Sequence, residues 1–427
     1  MEPDLALGID LGTSGLRLAL IDGTGTAVGE ASDTYPGPFE QPLGWRAALT
    51  GLVQRLPPEL RQRVGALALD GTSGTLLLCD RAGEPRGEAL PYHRACLEQA
   101  KATAELVPTD CPAASSSGSL ARALALLQRE QVTGSAGPLL LRHQADWLMG
   151  WMLGTWRWGE EGNNLRLGWD LQTSSWAGEL NHQPWSSALA EIVPSGIPLG
   201  RISHPVATLL GLPQACLVVS GTTDANAAVL AADPGPDDGI TVLGTTLVLK
   251  RFVPAPLQGA GLTNHRVGDR WLVGGASNAG AGILGRFFSP TQIEQLSRQI
   301  DPLQATGLRL RPLPERGERF PVDDPSLEPV LGPRPVSDAL YLQALLEGLA
   351  TIEAQGWQRL IELGAPPIQR VITLGGGARN PQWRRLRQQR LGLPVLNRPH
   401  LAPAIGTAHL ALRGWRMEQQ SCERPPP

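Results

Sequence analysis

At 427 residues, with 42 % apolar and 18 % charged side chains, the chain has the material for two or three packed domains and no stretch whose composition marks it as disordered. Its net charge of −3 excludes the strong basic field that a nucleic-acid or anionic-membrane partner requires. Apolar runs are too short or too broken by charge to span a bilayer, and Met1-Glu2-Pro3-Asp4 has the features of neither a signal nor a transit peptide, so a soluble cytoplasmic protein is the expectation.

Cys79, Cys96, Cys111, Cys216 and Cys422 are scattered, odd in number and contain no CxxC pair, which reads as reduced thiols. The seven histidines form no HxxxH pair of the kind that binds zinc. Lys101 and Lys250 are the sole lysines among 37 basic residues, and neither sits in a glycine loop. There is no G-x-x-x-x-G-K-[ST], H-R-D or D-F-G sequence, so any ATP is bound by something other than a P-loop or a protein-kinase site.

In chain order, Leu5 to Asp10 and Leu16 to Ile21 read as a β-hairpin turning on Gly12-Thr13-Ser14-Gly15. Residues 45–63 read as a helix. Val64 to Leu69 reads as a buried strand closed by Asp70-Gly71-Thr72-Ser73-Gly74, and Thr75 to Leu78 as its continuation. Helices are expected at 119–130 and 142–153, followed by a loop-dominated surface segment from Trp156 to Trp176. Leu217 to Ser220 reads as a strand, Gly221-Thr222-Thr223-Asp224 as a turn, and Ala225 to Ala232 as a helix; Asp233-Pro234-Gly235-Pro236 marks a domain boundary. A second hairpin follows, Ile240 to Leu243 and Leu247 to Phe252 around Gly244-Thr245-Thr246. Trp271 to Gly275 reads as a strand, Ser277 to Phe288 as a helix, and residues 312–336 as an extended loop. Ala339 to Leu363 reads as a long helix, and Val371 to Leu374 as a strand that turns at Gly375-Gly376-Gly377. Helices at Pro381 to Leu391 and Ala404 to Met417 precede a frayed Pro425-Pro426-Pro427 tail. The echo of Leu-Gly-Thr-Ser (11–14) in Leu-Gly-Thr-Thr (243–246) points to two related α/β domains.

The chemistry concentrates at strand ends. Asp10 precedes a turn of glycine and hydroxyl residues, where backbone N–H groups can approach phosphate oxygens and a carboxylate can hold Mg²⁺ through water. Gly244, Thr245 and Thr246 form a second turn of that kind. The turn at 375–377 is bare enough for a nucleotide or a sugar to lie against backbone. Asp224 opens a helix, where the dipole favours its ionised form, and an ionised Asp within reach of a hydroxyl can take its proton as the oxygen attacks phosphorus. Asp70 and Ser73 lie in a further strand-end turn that suits sugar hydroxyls.

These residues resemble the FGGY carbohydrate kinases of the actin-like ATPase superfamily. Asp10-Leu11-Gly12-Thr13-Ser14 resembles their first phosphate loop, Leu243-Gly244-Thr245-Thr246 the second, and Gly221-Thr222-Thr223-Asp224 the segment bearing the catalytic base. Gly275-Ala276-Ser277-Asn278 and Gly375-Gly376-Gly377-Ala378-Arg379-Asn380 are similar to the nucleotide-side segments. Gly317-Glu318-Arg319-Phe320-Pro321 is similar to a G-E-R-x-P pattern of these kinases that is foreign to actin and the chaperone ATPases.

The resemblance implies two ribonuclease-H-like domains around a ligand cleft. A sugar domain would cover residues 1–232, with the helix at 402–420 packing back on it, and an ATP domain residues 233–401. It implies ATP and Mg²⁺ as cofactors and a small sugar as partner, with neither nucleic acid nor membrane. Asp10 and Asp224 would be catalytic and metal-binding; Asp10, Ser73 and Asp224 would contact the sugar. Gly12, Thr13, Ser14, Gly244, Thr245, Thr246, Gly376, Gly377 and Asn380 would contact the nucleotide. Tyr92-His93-Arg94-Ala95-Cys96 stands where relatives carry W-x-D-x-R, and Asp70-Gly71-Thr72-Ser73-Gly74 replaces a glutamine-containing sugar motif. The D-G-T-S-G-T form and the short length are most similar to small D-ribulose kinases, which implies phosphorylation of the terminal hydroxyl of D-ribulose, with D-xylulose second. An actin-like nucleotide switch and a sugar sensor without turnover are the alternatives.

Overall fold

A computed structural model describes residues 3–133 and 138–423; the Pro425–Pro427 tail lies outside them. Two compact units divide the chain. The first holds residues up to Ala231, the short turn Arg266–Asp269, and the chain from Ala402 onward; the second holds Ala232–His265 and Arg270–Leu401.

The first unit is built on a seven-stranded sheet. Leu5–Leu11, Gly15–Asp22 and Ala27–Thr34 form an antiparallel meander. Val64–Gly71 joins Leu5–Leu11 in parallel, and Leu217–Val219 and Thr222–Thr223 join Val64–Gly71 in parallel in turn. Every residue of Leu5–Leu11 and Val64–Gly71 is buried, as befits strands covered on both faces. One face packs against Trp45, Leu49, Leu52, Trp147 and Leu148 from the helices Pro42–Gln54 and Gln144–Leu153. The other carries Ala6, Ala66 and Ala68 against Ala408, Ala411 and Leu412 of the last helix, Pro403–Glu423.

The second unit repeats this plan. Asp238–Leu243, Leu247–Val253 and Arg270–Ser277 are antiparallel neighbours, while Arg370–Leu374 pairs in parallel with Asp238–Leu243 and Val395–Asn397 with Arg370–Leu374. The helices Asp338–Glu362 and Pro381–Leu391 cover it. Under them lies a fully buried ion pair: the Arg387 guanidinium donates to Glu353 at 2.5 and 2.7 Å and to Thr373 at 2.7 Å, while Thr241 donates to Glu353 at 2.6 Å. Such a pair gains little net energy over an apolar substitute, but it pins two helices to two strands in one register. Among the described residues no helix is long and apolar enough to cross a membrane.

Several expected elements differ. The helix over 45–63 is two helices, Pro42–Gln54 and Pro58–Arg61, because Pro57 and Pro58 supply no amide to continue the first. The helix expected from 142 starts at Gln144, and Leu139–His143 is a strand paired antiparallel with Leu76–Asp80. Within Trp156–Trp176, the side chains of Glu160, Glu161, Asn163 and Asn164 are buried, so the segment is not simply surface. Ser277 to Phe288 is a strand end followed by a short 3₁₀ turn, Ala281–Arg286. Asn278 and Gly280 are held in place by other segments before a helix can begin.

The last helix approaches the sheet so closely that a Cβ on Gly8 would sit 1.9 Å from the Ala404 carbonyl oxygen and 2.3 Å from the Ala408 nitrogen. Gly8→Ala is therefore expected to destabilise the protein by at least about 1–3 kcal/mol. Gly44→Ala, in a helix with nothing within 4 Å of the new Cβ, is expected to stabilise by about 0.5–1 kcal/mol. Thermal unfolding of the two variants checks both signs.

Candidate active site

Parallel pairing sets Asp10 opposite Asp70, and Asp70 opposite Thr222. The chain beyond Thr222–Thr223 starts the helix Asp224–Ala231 with Asp224 in its first turn. The carboxyl-side ends of adjacent parallel strands, where ligands of α/β sheets commonly bind, thus carry Asp10, Asp70 and Asp224.

Their surroundings differ. Asp10 is buried and accepts from Arg17 at 2.9 Å, its partner across the hairpin. Asp224 is half-buried, and one of its carboxylate oxygens accepts from the Ala225 amide at 2.7 Å. Asp70 is wholly buried; one oxygen accepts from the Thr407 hydroxyl, and the other has no protein partner. Burial, then the Asp10 and Asp224 charges on either side, push the Asp70 carboxyl well above the usual carboxylate range, against a smaller opposing effect of Thr407. The shift favours the protonated form of Asp70 relative to an exposed carboxyl group.

Around this row the loops are pinned to one another. The Tyr35 hydroxyl donates to the Gly12 carbonyl at 2.9 Å, and burial raises its phenol so that it stays a donor. Gln144 donates to that hydroxyl at 3.4 Å and accepts from the amide and hydroxyl of Thr72 at 3.2 and 2.8 Å. Thr72 and Thr75 hydroxyls lie 2.6 Å apart, and Thr75 accepts from the Tyr92 amide at 3.1 Å. Arg122 is fully buried and donates to the carbonyls of Gly74, Tyr92, Arg94 and Ser117 at 2.8 to 3.1 Å. Burial lowers its pKa to about 10, still high enough to remain charged near neutrality. Ser73 sits half-buried between Thr72 and Gly74, on a loop held at both shoulders.

Thr13 and Ser14 are exposed at the tip of the first hairpin, closed by the Gly12 amide on the Gly15 carbonyl at 2.9 Å. The second hairpin closes similarly, Gly244 amide on Thr246 carbonyl at 3.1 Å, with Thr245 exposed. Beside it, Gly375 has φ of 83°, and a Cβ there would meet the Leu243 carbonyl at 2.7 Å. Gly377 packs as tightly on the Leu243 side chain, while Gly376 faces open space. The Asn380 side chain accepts from the amides of Gln382 and Trp383 at 3.0 Å each and donates to Ser297 at 2.8 Å. Its observed work is helix capping.

The first unit therefore sets Asp10, Asp70 and Asp224 at adjacent strand ends and carries Ser73 on the loop after Asp70 and Gly12, Thr13 and Ser14 on the hairpin after Asp10; the second carries Gly244, Thr245, Thr246, Gly376, Gly377 and Asn380. Sequence reasoning did not single out Arg122, Gln144 or Thr407. The available signals were weak: an arginine inside the apolar run Leu120-Ala121-Arg122-Ala123-Leu124, and a threonine in the small-residue face of the last helix. A cavity of about 720 Å³ opens beside Pro91, His93, Arg94, Glu98 and Arg129, but Asp10, Asp70, Ser73 and Asp224 are not in its lining. Among the described residues no group of three or more His, Cys, Asp or Glu side chains is placed to hold a metal ion. A divalent cation here would need most of its ligands from water and phosphate.

Residues 239–415 match the C-terminal domain of the FGGY family of carbohydrate kinases. Solved structures share the fold over almost the whole chain. A xyloylose kinase from Brucella ovis is 22 % identical with a TM-score of 0.81, covering 97 % of this chain and 91 % of its own. A xylulose kinase from Rhodospirillum rubrum is 22 % identical with a TM-score of 0.80, covering 96 % and 90 %. Plasmodium falciparum glycerol kinase, solved with ADP, is 16 % identical with a TM-score of 0.78, covering 100 % and 94 %. The chain has the mixed α/β, two-domain fold of the actin-like ATPase sugar kinases.

The raised Asp70 carboxyl gives a pH test. Its native pKa lies above the unfolded value of 3.8, so above about pH 4 the unfolded chain releases a proton that the native state keeps, and stability falls as pH rises toward the native pKa. Asp70→Asn keeps an acceptor for Thr407 and removes this loss. The gain in melting temperature of Asp70→Asn over wild type is expected to grow as the pH rises above about 4 toward the raised native pKa. A gain that shrinks with rising pH would mean that Asp70 is ionised.

Proposed function

We propose that the protein is an ATP-dependent sugar kinase of the FGGY family that phosphorylates a free ketopentose, D-ribulose before D-xylulose. The observation that carries this reading is the row of Asp10, Asp70 and Asp224 at adjacent strand ends, in a chain whose residues 239–415 match a carbohydrate-kinase domain. The ketopentose class is supported by solved kinases of this fold described as xylulose kinases. Preference for D-ribulose rests on the Asp70-Gly71-Thr72-Ser73-Gly74-Thr75 form and the short chain, while Tyr92-His93-Arg94-Ala95-Cys96 in place of W-x-D-x-R argues against glycerol and D-xylulose.

In this reading Asp224 is the general base. Half-buried at a helix start, it can accept the proton of the sugar's terminal hydroxyl as that oxygen bonds to the γ-phosphorus and the bond to ADP breaks. Asp10 and Ser73 hold neighbouring hydroxyls. Burial and the neighbouring Asp10 raise the Asp70 carboxyl, which disfavours a third negative charge beside the other two acids. In the second unit the turn at 244–246 and the bare backbone of Gly376 and Gly377 suit the nucleotide, with Asn380 fixing the helix that follows; in the first unit the turn at 12–14 offers similar phosphate-binding chemistry. Mg²⁺ brought with the nucleotide supplies charge neutralisation on the phosphates, and Asp10 and Asp224 are the acids to hold it through water. Positioning and charge carry most of the catalysis, as in phosphoryl transfer generally.

ADP release with Mg-ATP, measured on D-ribulose, L-ribulose, D-xylulose and glycerol, is the test. D-ribulose is expected to give the highest kcat/KM, and Asp224→Ala to lower kcat by about 10²–10⁴-fold. Turnover best on another sugar overturns the substrate. Turnover unchanged in Asp224→Ala overturns the base.

A further inference from the structure

The Gly317-Glu318-Arg319-Phe320 run lies far from the second hairpin in sequence, yet each of its residues is committed to the strand and turn beside that hairpin. Gly317 has φ of 100°, a conformation open to glycine, and its carbonyl accepts from the Asn278 side chain at 2.9 Å. Arg319 donates to the Ala276 carbonyl at 2.6 Å. Phe320 is buried, its ring filling the space over Gly275, where a Cβ would come within 2.5 Å of it.

Glu318 is the centre of the arrangement. It is 4 % exposed, although it is a carboxylic acid. One oxygen accepts from the Ser277 hydroxyl at 2.6 Å, the other from the amides of Asn278 at 2.7 Å and Arg319 at 3.0 Å. Both oxygens are thus spent on fixing the turn at 277–278. From that turn the chain runs directly onto the hairpin loop. The Ser277 hydroxyl accepts from the Ala279 amide at 3.0 Å, and the Ala279 carbonyl accepts from the Leu247 amide at 2.7 Å. The Ala281 amide donates to the Gly244 carbonyl at 2.9 Å and the Gly282 amide to the Thr245 carbonyl at 3.2 Å. Gly280 lies so close that a Cβ would be 2.3 Å from the Thr245 carbonyl oxygen. The carbonyls of Gly244 and Thr245 are therefore bonded from behind, the Thr246 carbonyl takes the turn's own Gly244 amide, and Thr245 is left exposed at the tip.

We infer that Glu318 is a positioning residue for a phosphate-binding turn at Gly244-Thr245-Thr246, acting through Ser277, Asn278 and the segment 279–282; this rests on the nucleotide-binding reading proposed above. Glu318 touches no phosphate itself. Its loss would free the 277–282 segment and with it the orientation of the turn's amides, so that the cost falls on the phosphate end of a nucleotide and spares the adenosine end.

The test is titration calorimetry of the full chain with a non-hydrolysable ATP analogue, ADP, AMP and adenosine, each with Mg²⁺, for wild type, Glu318→Gln and Ser277→Ala. Glu318→Gln keeps size but puts an amide donor against groups that themselves donate. The expected result is a loss of about tenfold or more in affinity for the ATP analogue, little change for adenosine, and a smaller loss of the same pattern in Ser277→Ala. A uniform loss for all four ligands, matched by a lowered melting temperature, makes Glu318 merely structural and overturns the inference. So do unchanged affinities. Wild type that binds no nucleotide, or prefers adenosine to the ATP analogue, overturns the nucleotide reading itself, an outcome read from wild type alone. Should Glu318→Gln fail to fold, Ser277→Ala decides: an unchanged preference for the ATP analogue over adenosine overturns the inference.

Discussion

Like charges at the end of a parallel sheet repel, and the first unit is organised around that problem. The pairing of Leu5–Leu11 with Val64–Gly71, and of the latter with Thr222–Thr223, sets Asp10 beside Asp70 and brings Asp224 just beyond. Three ionised carboxylates in so buried a place would be costly. The fold answers differently for each: Arg17 compensates Asp10, the start of a helix suits Asp224, and burial raises the Asp70 carboxyl while the Thr407 hydroxyl partly offsets that rise. Thr407 comes from the last helix, which reaches the sheet because Gly8 leaves room for backbone against backbone, and which packs as closely on the helix Asp224–Ala231 through Gly406. The chain's last described helix thus helps set the charge state of an acid near its beginning.

The two units solve the positioning of their loops with different chemistry. In the first, a chain of hydroxyl, amide and guanidinium groups (Tyr35, Gln144, Thr72, Thr75, Arg122) ties three loops together. Arg122 spends a buried positive charge on carbonyl oxygens alone, which makes the loops it holds interdependent. In the second, one carboxyl group, Glu318, fixes a turn that braces the hairpin. In both, the exposed side chains at the turns are small hydroxyls, Thr13, Ser14 and Thr245, which suits oxygen-rich ligands and leaves little to recognise a bulky apolar one.

Much of this was legible because period and punctuation agree locally. The uniformly apolar runs at 5–9 and 64–69, cut off by Asp and Gly, identify buried strands and their ends, and the two Gly-Thr turns expose the repeated plan. Asp224 at a helix start followed from the strand–turn–helix pattern. The failures came where tertiary contacts overrule local preference. Ser277 to Phe288 has helical composition, but Glu318, 40 and 41 residues away from its partners, holds the start of that stretch as a turn. His143 reads as part of a helix, and pairing with Leu76 makes it the end of a strand. Arg122 and Thr407 were invisible for the same reason: a polar residue in a small, apolar helix declares its partner only when the partner's position in space is known.

The account's central claim is that the acid row directs a phosphoryl group onto a sugar hydroxyl and not onto water. Phosphorus NMR of a mixture of the protein, Mg-ATP and D-ribulose reads this directly. The account predicts that ADP and a phosphomonoester on the sugar's terminal carbon grow together, with little inorganic phosphate. ADP accompanied by inorganic phosphate alone, with the sugar unchanged, would contradict it.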